Sequence, residues 1–186
     1  MAGPRTIEGY AIVSADGMLA DADRRMPPGL QVEADQKFFH GALDRAAAIV
    51  QGRHSNEGGP KAADRLRLVM TRSVPALALH PKYAKGLLWN PEGASLQEAW
   101  TWLGAPDGML AVIGGPDVYQ HFLDVGYDAF HLTRAPNVRL PGGRPVFREI
   151  GHDRTPEDVL ASRGLKPDPT RMLDPAQGVT LVSWTR

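Results

Sequence analysis

The 186-residue chain carries 21 Lys plus Arg and 21 Asp plus Glu, so its formal net charge is zero. This balance argues against a nucleic-acid or membrane-surface partner, and the absence of cysteine excludes disulfides, thiolate zinc sites and cysteine nucleophiles. Apolar residues make up 42% of the chain, and no apolar run approaches the ~20 residues of a membrane span. We expect one cytoplasmic domain over residues 1–186, without a signal segment or a bound metal.

Strand and helix patterns alternate along the chain. Apolar residues recur at helical spacing in QVEADQKFFHGALDR, and Ser95 with Glu98 forms a capping-box pattern. In 66–72, Leu66, Leu68 and Met70 alternate with Arg67 and Val69, after Arg65, which predicts a strand. Strands are predicted at 9–19, 46–52, 66–72, 85–90, 108–115, 129–135 and 178–186, and helices at 31–45, 95–104, 116–126 and 156–163. This alternation predicts an α/β domain with a mostly parallel central sheet.

The segment AVIGGPDVYQHFL joins a buried strand to an amphipathic helix through Gly114 and Gly115. Glycines at the start of a helix let backbone N–H groups approach an anion, and the helix dipole adds to the attraction. The alternative is a tight turn that binds nothing. Pro116 removes one donor from this turn, and Asp117 would repel a nearby phosphate.

Two further strand ends carry hydrogen-bond donors. Gly52 ends one strand and is followed by Arg53, His54 and Ser55, while Thr71 and Arg72 end the next. Each segment, taken alone, is also typical of a polar surface loop. Because ligands of open α/β sheets bind outside the carboxyl ends of the strands, the three strand ends together predict a site for a nucleotide with two or more phosphates.

A carboxylate lies on the apolar side of the first predicted helix. Asp35 precedes Phe38, Phe39 and Ala42 by three, four and seven residues, so it shares their face. Burial would raise its pKa, and the carboxylate could accept paired hydrogen bonds from a heterocycle. The alternative is a helix-start acid that faces water. The remaining histidines show no spacing pattern and are interpreted as surface or structural residues: His40, His80, His121, His131 and His152.

Four segments carry a resemblance to a known family. They are AIVSADGML, EADQKFF, IVQGRHS followed by LVMTR, and AVIGGPDVYQHFL followed by AFHLTR, and together they span residues 10–134. In this succession the chain resembles the dihydrofolate reductase superfamily, including its branch of riboflavin-pathway pyrimidine reductases. The resemblance implies a three-layer dihydrofolate-reductase-like α/β fold and an NADPH-dependent reductase that acts on a pterin-like or pyrimidine-like small molecule.

The resemblance also implies roles for individual residues. Asp35 would be the catalytic residue that orients the substrate ring, with Phe39 beside it and Thr133 supporting Asp35 through a hydrogen bond. Arg72 would suit the 2′-phosphate of NADPH. The residues expected at the cofactor are Gly52, Arg53, His54, Ser55, Thr71, Arg72, Ile113, Gly114, Gly115, Val118 and Tyr119. A homodimer is a further expectation from the family.

The chain also departs from dihydrofolate reductases. The loop RRMPPGLQ lacks their usual tryptophan, and Pro116 stands where they carry a third glycine. Arg65 falls near the position that binds the folate tail carboxylate, whereas LPGGRPVFREI is more similar to the pyrimidine reductases. Two other hypotheses stay open: a nucleotide-binding module without reductase activity, and an α/β domain that binds no phosphate.

Overall fold

The structure is a computed structural model, and it describes residues 3–186. Four helices are present, α1 (Glu33–Leu43), α2 (Leu96–Leu103), α3 (Pro116–Val125) and α4 (Pro156–Ser162). The strands are β1 (Thr6–Ser14), β2 (Met18–Ala20), β3 (Ala48–Gly52), β4 (Arg67–Met70), β5 (Leu77–Leu79), β6 (Gly86–Trp89), β7 (Met109–Val112), β8 (Ala129–Ala135), β9 (Arg144–Pro145), β10 (Lys166–Pro167), β11 (Arg171–Asp174) and β12 (Val179–Thr185).

One large sheet runs through the molecule in the order β10-β12-β8-β1-β7-β3-β4-β6-β5, with β11 also paired to β12. All five pairings from β8 to β6 are parallel, and the strands at both edges are antiparallel. The mostly parallel sheet predicted from the sequence is therefore confirmed. Because parallel strands end at the same edge of a sheet, the carboxyl ends of β3, β4, β6 and β7 lie side by side.

Helices cover both faces of the sheet and make three layers. On one face, Ala42 and Leu43 of α1 pack against Ile49 and Ala111. On the other face, α2, α3 and α4 share a larger core with alternate residues of the same strands, Val50 and Val112 among them. Central strands that are buried on both faces are typical of parallel sheets.

The predicted helices are confirmed, with α1 shorter at both ends than 31–45. Ser95 accepts from the backbone N–H of Glu98 and completes the capping box of α2. Strands β5, β9, β10 and β11 were not predicted. The strand predicted at 66–72 is confirmed as β4, and Arg67, Leu68 and Val69 are all buried in it. Within residues 3–186, no helix is long and apolar enough to cross a membrane.

Candidate functional site

An open cleft of about 1530 Å³ lies at the carboxyl ends of the parallel strands. Every residue that the sequence assigned to a site lines this one cleft. The cofactor candidates there are Gly52, Arg53, His54, Ser55, Thr71, Arg72, Ile113, Gly114, Gly115, Val118 and Tyr119, and the substrate candidates are Asp35, Phe39 and Thr133. The structure thus brings together three strand ends and one face of α1.

The two glycine-containing turns touch each other. The N–H of Gly52 donates to the carbonyl oxygen of Gly114 over 2.7 Å. A β-carbon on Gly115 would lie 3.8 Å from Ser55 Oγ, and one on Gly52 would lie 3.5 Å from the Gly115 nitrogen. Gly114 has φ +111°, a conformation that favours glycine. A side chain at Gly115 would therefore fill the space between the two turns.

Two arginines and a histidine from the strand ends line this part of the cleft. Arg53, His54 and Arg72 are exposed, and Arg53 Nε donates to His54 Nε2 over 3.1 Å. Across residues 3–186, no carboxylate forms an ion pair with Arg53 or Arg72. Thr71 is buried and its hydroxyl is 3.0 Å from Ser73 Oγ. Both guanidinium groups are therefore available to an anion in the cleft.

The loop that follows β3 is held by a buried ion-pair network. Both carboxylate oxygens of Glu57 accept hydrogen bonds, one from Arg65 Nε over 2.7 Å and one from Arg67 Nη2 over 3.1 Å. Arg65 also pairs with Asp44 over 2.9 Å, and Arg67 donates to Gln51 over 3.0 Å. Arg65 does not line the cleft. The residue expected near a folate tail is thus already neutralised by two internal carboxylates.

Asp35 is the acid at the other end of the cleft. It is only 9% exposed, which contradicts the alternative of a water-facing acid at the helix start. Burial raises its pKa to about 6, and the hydrogen-bonding hydroxyl of Thr133 opposes part of that rise. Thr133 is itself buried, on β8. A carboxyl with this pKa can bind an N–H donor and can also carry a proton near neutral pH.

Tyr119 lies between the two ends of the cleft. Its hydroxyl donates to the backbone carbonyl of Tyr10, and a β-carbon on Gly114 would lie 3.2 Å from its ring. Burial and the charge of Asp35 both raise the pKa of Tyr119. The phenol therefore stays neutral and positions the glycine turn against β1.

Sequence reasoning missed an aromatic wall beside Asp35. The rings of Tyr10 and His131 stack with centroids 4.6 Å apart, and Phe38 contacts His131 edge-on at 5.6 Å. His131 Nε2 is 3.2 Å from Glu8, and this hydrogen bond lowers the pKa of Glu8. All three rings line the cleft, so the interpretation of His131 as only a surface or structural residue is incomplete. The stacking depends on the pairing of β1 with β8, which no local pattern shows.

Two other histidines that were interpreted as surface or structural residues also line the cleft. They are His40 on α1 and His121 on α3. The loop after β1 also lines the cleft, through Leu19 and Ala20. It is held in place because β2 pairs with β9 and the Leu140 N–H donates to the Asp16 carboxylate over 3.0 Å. Within the described residues, no group of three or more His, Asp or Glu side chains could hold a metal ion.

The sheet order, the three layers and the cleft match the dihydrofolate-reductase-like fold that the sequence resemblance implies. No protein-family model matches the sequence, and no curated protein matches it. The likeness therefore rests on structure alone.

Three solved structures illustrate this likeness. A structure described as a riboflavin biosynthesis protein from Shewanella sp. PV-4 is 17% identical, with a TM-score of 0.66 over 97% of this chain and 98% of its own. A pyrimidine reductase-like protein from Corynebacterium diphtheriae is 15% identical, with a TM-score of 0.63 over 97% and 91%. A diaminohydroxyphosphoribosylaminopyrimidine deaminase/5-amino-6-(5-phosphoribosylamino)uracil reductase from Thermotoga maritima is 15% identical, with a TM-score of 0.68. That match covers 98% of this chain and 56% of the Thermotoga maritima protein.

Proposed function

We propose that this protein is an NADPH-dependent reductase that transfers a hydride to a small pyrimidine-like or pterin-like heterocycle. The observation that carries the proposal is the convergence of three donor-bearing strand ends and one buried acid in a single cleft. The cleft exceeds the volume of about 300–1,000 Å³ that holds one drug-sized ligand. Two molecules bound side by side, a dinucleotide and a substrate, fit this size.

The residues at the strand ends fit a dinucleotide. Glycine at 115 places no side chain between its backbone and Ser55, so a pyrophosphate could approach the backbone here. Within residues 3–186, neither Arg72 nor Arg53 forms an ion pair, and both guanidinium groups suit the extra phosphate of NADPH. When bound, the cofactor supplies the hydride, and the protein contributes binding, orientation and electrostatics.

At the other end, Asp35 would hold the substrate ring. Above its pKa of about 6 the carboxylate accepts hydrogen bonds from ring N–H groups, and below it the carboxyl holds a proton. The Thr133 hydroxyl fixes the orientation of the carboxyl group. The aromatic wall of Tyr10, Phe38 and His131 provides an apolar surface on which a flat ring can pack.

The Glu57 network favours a substrate without an acidic tail. A folate tail carboxylate would need a free guanidinium, whereas Arg65 is engaged by Glu57 and Asp44. The names of the structural neighbours in riboflavin biosynthesis agree with a pyrimidine-like ring. Between the two substrate classes, we therefore infer that the pyrimidine-like one is the better fit.

The first test compares NADPH with NADH by thermal shift. Cofactor at 100 times its Kd is expected to stabilise the protein by about 2.7 kcal/mol, with NADPH effective at lower concentration than NADH. If neither form raises Tm, the reductase proposal fails and a domain that binds no phosphate is favoured.

The second test follows NADPH oxidation by absorbance with dihydrofolate and with pyrimidine substrates. Asp35→Asn is expected to lower turnover much more than NADPH affinity, because Asp35 lies at the substrate end of the cleft. Equal losses in both would contradict the role of Asp35. NADPH binding without turnover of any pterin, pyrimidine or carbonyl substrate would favour a nucleotide-binding module. The homodimer expected from the family is checked in the same samples by light scattering.

A further inference from the structure

The first turn of α3 is a poor anion site when its own residues are considered alone. Pro116 has no N–H to donate, and Asp117 places an exposed carboxylate in the cleft, close after Gly114 and Gly115. A cofactor pyrophosphate beside these glycines would be repelled by Asp117. A favourable site needs a positive group that offsets this charge.

Arg148 supplies that group. Its Nη2 donates to Asp117 Oδ1 over 2.6 Å, which holds the guanidinium beside the first turn of α3. The backbone of Arg148 is fixed as well, since its N–H donates to Gln120 Oε1 over 3.0 Å. The next residue, Glu149, is bound by Arg163 over 2.6 Å. The main chain and the side chain of Arg148 are therefore both hydrogen-bonded to residues of α3.

The Arg148–Asp117 ion pair is exposed, so it is better suited to binding a ligand than to stabilising the fold. The two side chains are 66% and 68% exposed, and exposed ion pairs contribute little to stability. Arg148 lines the same cleft as Gly114, Gly115 and Arg53. A guanidinium has five donors, so one edge can stay on Asp117 while the other edge faces a phosphate oxygen.

We propose that Arg148 is a phosphate-binding residue that replaces the donor absent at Pro116 and cancels the repulsion from Asp117. This inference rests on the proposed function, because the anion is the pyrophosphate of the nicotinamide cofactor. Arg148 would then bind NADPH and NADH alike, in contrast to Arg72, which faces the phosphate that only NADPH carries.

The test is a double-mutant cycle with Kd measured by fluorescence titration of NADPH and NADH. Arg148→Gln is expected to raise both Kd values about tenfold, because a charge-assisted hydrogen bond is lost. The double variant with Asp117→Asn is expected to bind at least about threefold more tightly than Arg148→Gln alone, because the uncompensated carboxylate is gone. Arg171→Gln removes an exposed positive charge outside the cleft and should leave both values unchanged.

Several results would overturn the assignment of Arg148 as a phosphate-binding residue. Unchanged binding by Arg148→Gln, or a loss confined to NADPH, overturns the assignment and leaves the reductase proposal intact. Equal weakening by Asp117→Asn, Arg148→Gln and the double variant also overturns it, since the pair would then act only as a structural unit. Arg148→Lys, which keeps the charge without the planar donor set, is expected to fall between wild type and Arg148→Gln. A wild-type protein that binds neither cofactor refutes the proposed function and this inference together.

Discussion

Replacing Asp35 with asparagine is expected to stabilise the folded protein at neutral pH. Folding raises the pKa of this carboxyl from 3.8 to about 6. Between these values the folded protein holds a proton that the unfolded chain has lost. Stability therefore falls as the pH rises through this window and stays reduced above it. An asparagine of the same shape carries no charge to desolvate, so it avoids this cost.

The magnitude follows from the pKa difference. Each tenfold change in proton affinity corresponds to about 1.4 kcal/mol, so ionised Asp35 costs the folded state up to about 3 kcal/mol. The asparagine amide must itself be buried beside Thr133, which reduces the gain to about 1–3 kcal/mol. For a domain of 186 residues, this corresponds to a rise in Tm of roughly 2–12 °C.

The assay is thermal or urea unfolding of wild type and Asp35→Asn at about pH 8 and about pH 4, on either side of the window. The gain should be present at the higher pH and largely absent at the lower one, where wild-type Asp35 is protonated. Glu33→Gln is the control, since it removes an exposed acid from the same helical turn and should not stabilise the protein. A gain of equal size at both pH values would refute the reasoning, because the burial of charge could not then be its cause.

Arg72→Gln is expected to weaken NADPH binding about tenfold and leave NADH binding nearly unchanged, because only NADPH carries the extra phosphate; paired Kd titrations check this, and equal losses for both cofactors would contradict it. Glu57→Gln removes the carboxylate that pairs with the buried Arg67 and with Arg65, and it is expected to cost about 3 kcal/mol in urea unfolding. A loss under about 1 kcal/mol would show that the network is dispensable. Gly114→Ala places a side chain at φ +111° and 3.2 Å from the Tyr119 ring, and is expected to cost at least about 1 kcal/mol of stability; an unchanged Tm would show that the turn adapts.

The sequence predicted the elements whose patterns are local. Helix α2 carries its capping box in four consecutive residues, and α3 begins at a proline and ends before a glycine. Strands β9 and β10 are two residues long and exist only through their partners, so no periodicity could reveal them. Arg67 looked like the polar side of an alternating strand, but a carboxylate ten positions earlier, Glu57, allows it to be buried.

The same distinction holds for the candidate site. Residues at strand ends and on the apolar face of α1 were predicted because strand order and helical spacing place them. His131 and Arg148 were missed, because their positions depend on contacts with Tyr10 and Asp117, which are distant in sequence. What such residues can bind depends on their charged and hydrogen-bonding partners. Those partners come together only when the chain is folded.

The internal pairing of Arg65 with Glu57 and Asp44 has a consequence for inhibitor design. A ligand whose affinity depends on a terminal carboxylate would find the Arg65 guanidinium already paired with Glu57 and Asp44. Under the proposed function, compounds against this protein should instead place polar groups on a ring that binds Asp35 and apolar groups against Tyr10 and Phe38, which line the same cleft. Selectivity over folate-dependent enzymes would then come from leaving the acidic extension out.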